Sequence, residues 1–245
     1  MHILICNGEP QVLERDDSIQ PGIDKDYKTP NIPTVYAVKG SFGKILFYEL
    51  KVNDFLIRYH LFELKENLNI NIIGEANLPE IFIPLWAPFS YTLKDHGAID
   101  MHLTQYSIRF LSEYNWQAVI PKTKQPSLLS VHFPLSFLQT LTGIFPQLQH
   151  FSTSVATGRL SIVSGNGIAF ATNPMLQEAK KMLRCELHTA GLRDVLLECV
   201  LKAFLLDGAE NLIQPRSTKA IWRRKGDVIA VTPNRRPSQP YSGWR

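Results

Sequence analysis

Residues 127–141, SLLSVHFPLSFLQTL, change the spacing of their apolar positions in the middle of the segment. As far as Phe133, the apolar residues Leu129, Val131 and Phe133 recur at every second position, which is the period of a β-strand. From Pro134 onward, leucines recur at three and four residues, which is the period of a helix that begins at a proline. The pattern predicts that the chain leaves a sheet and enters a helical region here.

Before this point the two-residue period dominates from residue 41 onward. Eight short runs rich in β-branched and aromatic residues are separated by turn formers. The runs are GKILFYEL, FLIRYHLF, NLNINII, EIFIPLW, FSYTL, TQYSIRFL, WQAVI and SLLSVHF. In NLNINII, apolar residues alternate with asparagine, as in a strand with one face in water. Eight antiparallel strands separated by short turns predict a β-barrel or a β-sandwich.

After the strands the pattern favours helices. Residues 134–142 and 146–156 have the spacing of short helices, and the following GRLSIVSGNGIAF is typical of a loop with one further strand. A longer helix is predicted from Asn173 to about Arg184, and a second one begins near Thr189. The last helix has two apolar rows, which predicts either full enclosure or a surface shared with a partner.

Composition restricts the class of protein. Of the 245 residues, 44% are hydrophobic and 20% are charged, which is typical of a globular chain and not of a disordered one. No apolar run is long enough for a membrane span or a signal-peptide core, so we expect a cytoplasmic protein. The three cysteines form no CxxC pair, and we expect inert thiols.

Charge is distributed unevenly along the chain. The formal net charge is +4, but residues 211–245 hold eight basic residues against Asp227 alone. The rest of the chain is therefore slightly acidic. Residues 1–40 are polar and contain several prolines, so the sequence predicts a lead-in segment on the surface.

Motifs for catalysis or metal binding are weak. His96 and His102 are six residues apart with no HxH motif, the chain has no GxSxG, and GSFGK is too short for a phosphate loop. We therefore predict no metal, no cofactor and no catalytic residue. The ionisable residues on the predicted strand faces are Arg58, His60, His102, Arg109 and His132.

Three segments carry a resemblance to a known family. They are SVHFPLSFLQTLTGIFPQLQHFSTSVATG, then ATNPMLQEAKKMLRC, then GLRDVLLECVLKAFLLDGAE. In this order they resemble the regulatory half of AraC-type transcription regulators such as those of Bacteroidetes, in which a strand ending in His-Phe gives way to a helix with an FPxLxxF pattern. The resemblance covers about residues 40–210 and rests on spacing over many positions.

The resemblance implies an α+β fold and a sensing function. An N-terminal cupin-like antiparallel β-barrel at residues 41–133 would sense an effector, and a C-terminal helical region at 134–210 would pair two subunits. Members of the family continue into two helix-turn-helix units, whereas residues 211–245 hold four prolines and no pair of helices. We therefore expect an effector-sensing, dimerising domain that lacks the DNA-binding domain, and we predict that it is not an enzyme.

Two alternatives remain open at this stage. One is a metal-independent cupin-like enzyme, which requires ionisable groups that converge inside the barrel. The other is a non-functional truncated remnant of a longer regulator. Metal analysis and a substrate screen would distinguish the enzyme from the sensor.

The expected partners are a small-molecule effector and a second copy of the chain, with no membrane. Aromatic residues on the predicted strands are the candidate effector-binding residues, since a small apolar or sugar-like ligand needs aromatic surface. They are Tyr59, Trp86, Phe89, Tyr91, Tyr106 and Trp116. The candidate dimer interface consists of Leu192, Val195, Leu196, Cys199, Leu201 and Phe204, with Val200 beside them.

Two assignments stay open or weak. The sequence does not decide whether the row Leu197, Leu201 and Leu205 or its flank faces the partner. Arg223, Arg224 and Lys225 are candidate nucleic-acid contacts, but a basic segment of this kind provides only sequence-independent attraction to phosphates. We therefore expect no specific DNA binding from this chain alone, and we treat residues 211–245 as an irregular basic tail.

Overall fold

A computed structural model of the chain describes residues 2–5, 14–15, 34–75, 78–93, 97–111, 113–124, 126–159, 161–163, 169–184, 193–213, 223–224 and 227–228. Antiparallel strands make up most of these residues. In chain order they are β1 (His2–Ile5), β2 (Glu14–Arg15), β3 (Thr34–Gly40), β4 (Gly43–Val52), β5 (Phe55–Leu64), β6 (Leu68–Glu75), β7 (Glu80–Pro84), β8 (Phe89–Leu93), β9 (Gly97–Met101), β10 (Ser107–Phe110), β11 (Glu113–Ile120), β12 (Ser127–His132), β13 (Ser161–Val163), β14 (Arg223–Arg224) and β15 (Asp227–Val228).

Helices follow the strands, as the change of period at Pro134 predicts. They are α1 (Leu135–Ile144), a 3₁₀ turn (Pro146–Leu148) continued by α2 (Gln149–Ala156), α3 (Asn173–Arg184) and α4 (Arg193–Ile213). Each predicted helical segment thus contains a helix, although α4 extends beyond the predicted boundary at residue 210. The α+β class is confirmed, with mainly antiparallel sheets and a few helices.

The strands form two large sheets. The order in the five-stranded sheet is β1-β6-β11-β8-β9, and the order in the eight-stranded sheet is β13-β10-β7-β12-β5-β4-β3-β2. β3, which the sequence places within the polar lead-in, pairs with β4 along its whole length. β9 lies between the predicted runs FSYTL and TQYSIRFL and is missed by the sequence analysis, because an edge strand with four of its five residues exposed or half-buried lacks a clear apolar period.

A closed barrel, which the family resemblance implies, is not found. Within the described residues no strand pairing joins the five-stranded sheet to the eight-stranded one. The two sheets instead enclose a common apolar cluster, to which Ile45, Phe62 and Leu128 contribute from one sheet and Ile72 and Trp116 from the other. The expected cupin-like barrel is therefore corrected to two facing sheets, the alternative that the strand pattern had left open.

The opposite face of the eight-stranded sheet packs against the helices. There Tyr59, Ile81 and Leu129 share a second apolar cluster with Leu141 of α1 and Leu201 of α4. Because this sheet is covered on both faces, every residue of β7, β10 and β12 is buried. Polar residues that alternate with apolar ones in these strands therefore lie inside the protein and not in water.

The described part of the chain contains no helix with the length and hydropathy needed to cross a membrane.

Candidate binding cavity between the two sheets

A small cavity lies between the two sheets. Its volume is about 20 Å³, which is room for about one water molecule. The residues that line it are Arg58, His60, Ile72, Phe82, Arg109, Trp116, Ser130 and His132. Six of the eight come from the inner face of the eight-stranded sheet, and Ile72 and Trp116 come from the facing sheet.

Strand register brings the polar residues together in two neighbouring rows. Arg109 on β10 is opposite Glu80 on β7, which is opposite His132 on β12. The next row holds Phe82, Ser130, Arg58 and Glu49, each from a different strand. Residues two apart on a strand point to the same face, so both rows face the opposite sheet.

Arg109 is fixed by three partners. Its Nε donates to Glu80 Oε1 at 2.7 Å, and its Nη1 donates to the Tyr91 hydroxyl at 2.8 Å. The guanidinium also lies 3.7 Å from the centre of the Phe82 ring, a cation–π contact. Burial by itself would raise the pKa of Glu80, but the charge of Arg109 and the nearby His132 outweigh it and hold that pKa below its ordinary value.

Arg58 holds a similar but more accessible position. Its Nε donates to Glu49 Oε1 at 2.7 Å across the β4–β5 ladder. The side chains of Arg58 and Glu49 are 21% and 29% exposed, whereas those of Arg109 and Glu80 are each 2% exposed. One guanidinium–carboxylate pair is therefore enclosed, and the other borders the solvent.

Both histidines are buried and neutral. Desolvation, together with the charge of Arg58, lowers the pKa of His60 to about 3, and desolvation lowers that of His132 to about 4 although Glu80 opposes it. His132 Nε2 lies 3.4 Å from Glu80 Oε2. Neither His60 Nδ1 nor His132 Nε2 has a hydrogen-bond partner within the described part of the chain.

These histidines predict that stability falls in acid. In the unfolded chain each histidine has its ordinary pKa of 6.5, whereas in the folded protein its pKa is lower. Below pH 6.5 the unfolded state therefore binds more protons than the folded state. We expect the free energy of unfolding to fall between pH 6.5 and 4, by up to about 1 kcal/mol per pH unit for each histidine. Urea unfolding at a series of pH values measures this pH dependence of stability. His132→Asn should reduce this slope, whereas His150→Asn, at an exposed position of α2, should leave it unchanged; equal slopes in all three proteins would contradict the prediction.

Metal ligands are not assembled in the described residues. No three His, Cys, Asp or Glu side chains in those ranges lie close enough together to hold an ion. His102, one of the five ionisable residues on the predicted strand faces, is exposed just after β9. Arg58, His60, Arg109 and His132 all line the cavity.

The six predicted effector-binding aromatic residues separate into two groups. Phe89, Tyr91 and Trp116 lie in the cluster between the sheets, with the Phe89 and Tyr91 rings 5.5 Å apart and stacked. Only Trp116 among the six lines the cavity. Their role in binding an effector remains a prediction.

The other three aromatic residues lie on the helix-facing side of the eight-stranded sheet. The Trp86 indole donates to the Tyr59 hydroxyl at 3.0 Å. The Tyr106 hydroxyl donates to the carbonyl oxygen of Gly208 at 2.8 Å and accepts from Asn211 Nδ2 at 3.0 Å. Burial raises the pKa of Tyr106, so the phenol is neutral and ties β10 to α4.

Glu80 and Ser130 are site residues that the sequence reasoning missed. A weak signal exists for both, because each is a polar residue at an alternate position of an otherwise apolar run, in EIFIP and SLLSVH. The two-residue period assigns such positions to a wet face by default. Only the burial of the sheet on both faces turns them inward.

Helix α4 has one buried side and one exposed side. Leu197, Leu201, Phe204 and Leu205 are each 0% exposed and pack on the chain's own core. Val195 and Leu196 are 56% and 39% exposed, and Cys199 is also exposed. Leu192 lies outside the described residues, and so does Lys225, whereas Arg223 and Arg224 form a two-residue strand with β15.

Comparisons with known proteins give only distant structural similarities. No protein-family model and no curated protein matches the chain. An AraC-like transcriptional activator, CuxR, is similar over 72% of this chain with 12% identity and a TM-score of 0.43, and this chain spans 59% of its length. HEPD from Streptomyces albus, with its substrate 2-hydroxyethylphosphonate and Fe(II) bound, is similar over 75% of this chain and 46% of its own, with 10% identity and a TM-score of 0.29.

With TM-scores below 0.5, these similarities identify neither a family nor a function. They correct one prediction from the sequence, that the chain is not an enzyme. Similar structures include substrate-bound HEPD and also Fe(II)-containing HppE, which matches 50% of this chain and 64% of its own at 11% identity and a TM-score of 0.30.

Proposed function

We propose that this protein is a small-molecule sensor of the AraC-like type, which binds an effector in the cavity between its two sheets and pairs with a second copy through α4. The observation that supports it most is the cavity itself, where two arginines, two neutral histidines and a serine converge in an enclosed space. Convergent polar groups beside apolar residues such as Phe82 and Trp116 are a feature of small-ligand sites, which are larger than this cavity.

An unpaired polar atom in the cavity supports a binding role. A buried donor or acceptor without a partner costs about 1–3 kcal/mol, so such atoms are rare unless they have a function. His60 Nδ1 is one of them, on a residue that lines the cavity, whereas His132 Nε2 lies 3.4 Å from Glu80 Oε2. A ligand that hydrogen bonds to His60 Nδ1 would recover that free energy on binding.

The proposed pairing uses the exposed side of α4. Val195, Leu196 and Cys199 present apolar surface to solvent, while Glu198 beside them is held by Lys202 and by Asn53 in the β4–β5 turn. A fixed charged rim around an apolar strip is the usual arrangement of a dimer contact. The basic segment after α4 adds at most salt-sensitive attraction to nucleic acid, through Arg223, Arg224 and Lys225.

A ligand screen tests the sensing function. Because Trp116 lines the cavity, binding should change its fluorescence and also raise the melting temperature. Trp116→Phe should abolish most of the fluorescence change and retain the thermal shift, whereas Ser130→Val should weaken both signals. If no compound of a broad metabolite library changes either signal in the wild-type protein, the sensor function is wrong.

An acid–base enzyme that uses the same cavity is the second candidate. The two imidazoles line the cavity and are neutral, as a general base must be before it accepts a proton, but their pKa values of about 3 and 4 make them weak bases at pH 7. Proton NMR of the compounds that bind, before and after incubation with the protein, distinguishes the two. Conversion that is lost in His132→Gln supports the enzyme, and unchanged ligands support the sensor.

A further inference from the structure

The charge of the cavity wall points to the class of ligand. We infer that the cavity binds a small organic acid through its carboxylate group, with the Arg58 guanidinium as the main partner and Glu49 as the group that it displaces. This inference rests on the proposed function, since it specifies the ligand of the same site.

Positive charge predominates among the residues that line the cavity. Two of the eight are arginines, which stay protonated, and none of them is an aspartate or a glutamate. Glu80 lies beside the cavity and is engaged by Arg109. The charged groups that line the cavity are therefore positive, and the carboxylates that pair with them, Glu80 and Glu49, lie outside the lining.

The two arginines differ in how easily they can change partners. Arg109 is held by Glu80, by the Tyr91 hydroxyl and by the Phe82 ring, and it is almost completely enclosed. Removing a carboxylate from such a buried pair costs several kcal/mol. Arg109 thus provides a fixed positive field and does not exchange.

Arg58 can exchange its partner more easily than Arg109. Both Arg58 and Glu49 reach the solvent, so their partly buried pair costs less to break than the enclosed Arg109–Glu80 pair. An arginine fork binds a carboxylate through two parallel hydrogen bonds, so an incoming carboxylate can replace Glu49 without loss of pairing. The cavity holds about 20 Å³, so the side chains that line it must move apart to admit a carboxylate group.

The remaining polar groups of the wall add one available donor. His60 is neutral, and its Nδ1 has no hydrogen-bond partner within the described residues, so in one tautomer it can present an N–H to an anion. Ser130 hydrogen bonds to Glu80, and His132 Nε2 lies 3.4 Å from Glu80 Oε2, so both of these groups face the carboxylate that Arg109 holds.

Matched probes test the inference. Acetate, propanoate and benzoate are titrated against acetamide, propanamide and benzamide, which have the same shape without the charge, with Trp fluorescence and melting temperature as readouts. We expect the carboxylates to bind at least about tenfold more tightly than their amides. Arg58→Met should remove that preference, whereas Glu49→Gln should tighten carboxylate binding because the competing carboxylate is gone.

A surface variant provides the control. Lys44→Met removes an exposed lysine paired to Glu63 at 3.0 Å on the same two strands, so it should leave binding unchanged. Equal affinity for amides and carboxylates, or weaker carboxylate binding in Glu49→Gln, would overturn the inference and leave the sensor function intact. Failure of all six probes up to about 10 mM would also overturn it, and hits from the metabolite library among uncharged compounds would then define the true ligand class.

Discussion

Arg109→Met should lower the free energy of unfolding by about 3–5 kcal/mol, because it leaves the Glu80 carboxylate buried without its counter-charge. Glu80 and Arg109 are each 2% exposed, and their 2.7 Å hydrogen bond lies between the two sheets. Water cannot replace the lost guanidinium there. Methionine is the replacement because it preserves most of the volume of the arginine stem. Urea unfolding at pH 7 measures the change in the free energy of unfolding.

Two further variants separate charge from packing. The double variant Glu80→Gln/Arg109→Met should recover most of the lost stability, because replacing both partners of a buried pair is close to neutral. Lys44→Met, which breaks an exposed pair with Glu63, should cost less than about 1 kcal/mol. If Arg109→Met and Lys44→Met had equal effects, the buried Glu80 carboxylate would not depend on Arg109 as its counter-charge.

Leu201→Glu should unfold the protein, whereas Leu196→Glu should leave it folded and monomeric. Leu201 is 0% exposed in the cluster that α4 shares with the eight-stranded sheet, so glutamate there buries an unpaired carboxylate at a cost of several kcal/mol. Leu196 is 39% exposed, so a charge at that position is solvated in a single copy and buried only if a second copy covers it.

Circular dichroism and sedimentation together distinguish these outcomes. Leu196→Glu should retain the wild-type melting temperature and shift the protein from dimer to monomer. The matched control is Lys202→Glu, on the charged rim of the same helix, which should weaken the dimer less. A wild-type protein that sediments as a monomer at high concentration would end the pairing hypothesis, and a folded Leu201→Glu variant would contradict the burial of that row.

Local pattern in the sequence determined most elements of this fold. The change of period at Pro134 marks the passage from β12 to α1, and the alternation in NLNINII is borne out by buried Leu68 and Ile70 and exposed Asn69. Such patterns are readable because side-chain direction repeats every two residues in a strand and about every 3.6 in a helix. Two apolar rows on α4 were also visible, but both were equally apolar, so the sequence did not decide which one faces inward.

Tertiary structure alone decided where the polar residues of the strands lie. Arg58, Glu80, Arg109, Ser130 and His132 are far apart in the chain, and they meet because the register of β5, β7, β10 and β12 aligns them across one sheet. That sheet is covered on one face by a second sheet and on the other by helices. A local sequence pattern does not show whether the second face of a sheet is covered. Alternation indicates only that two faces differ, and long-range packing decides whether the polar one meets water or encloses a cavity.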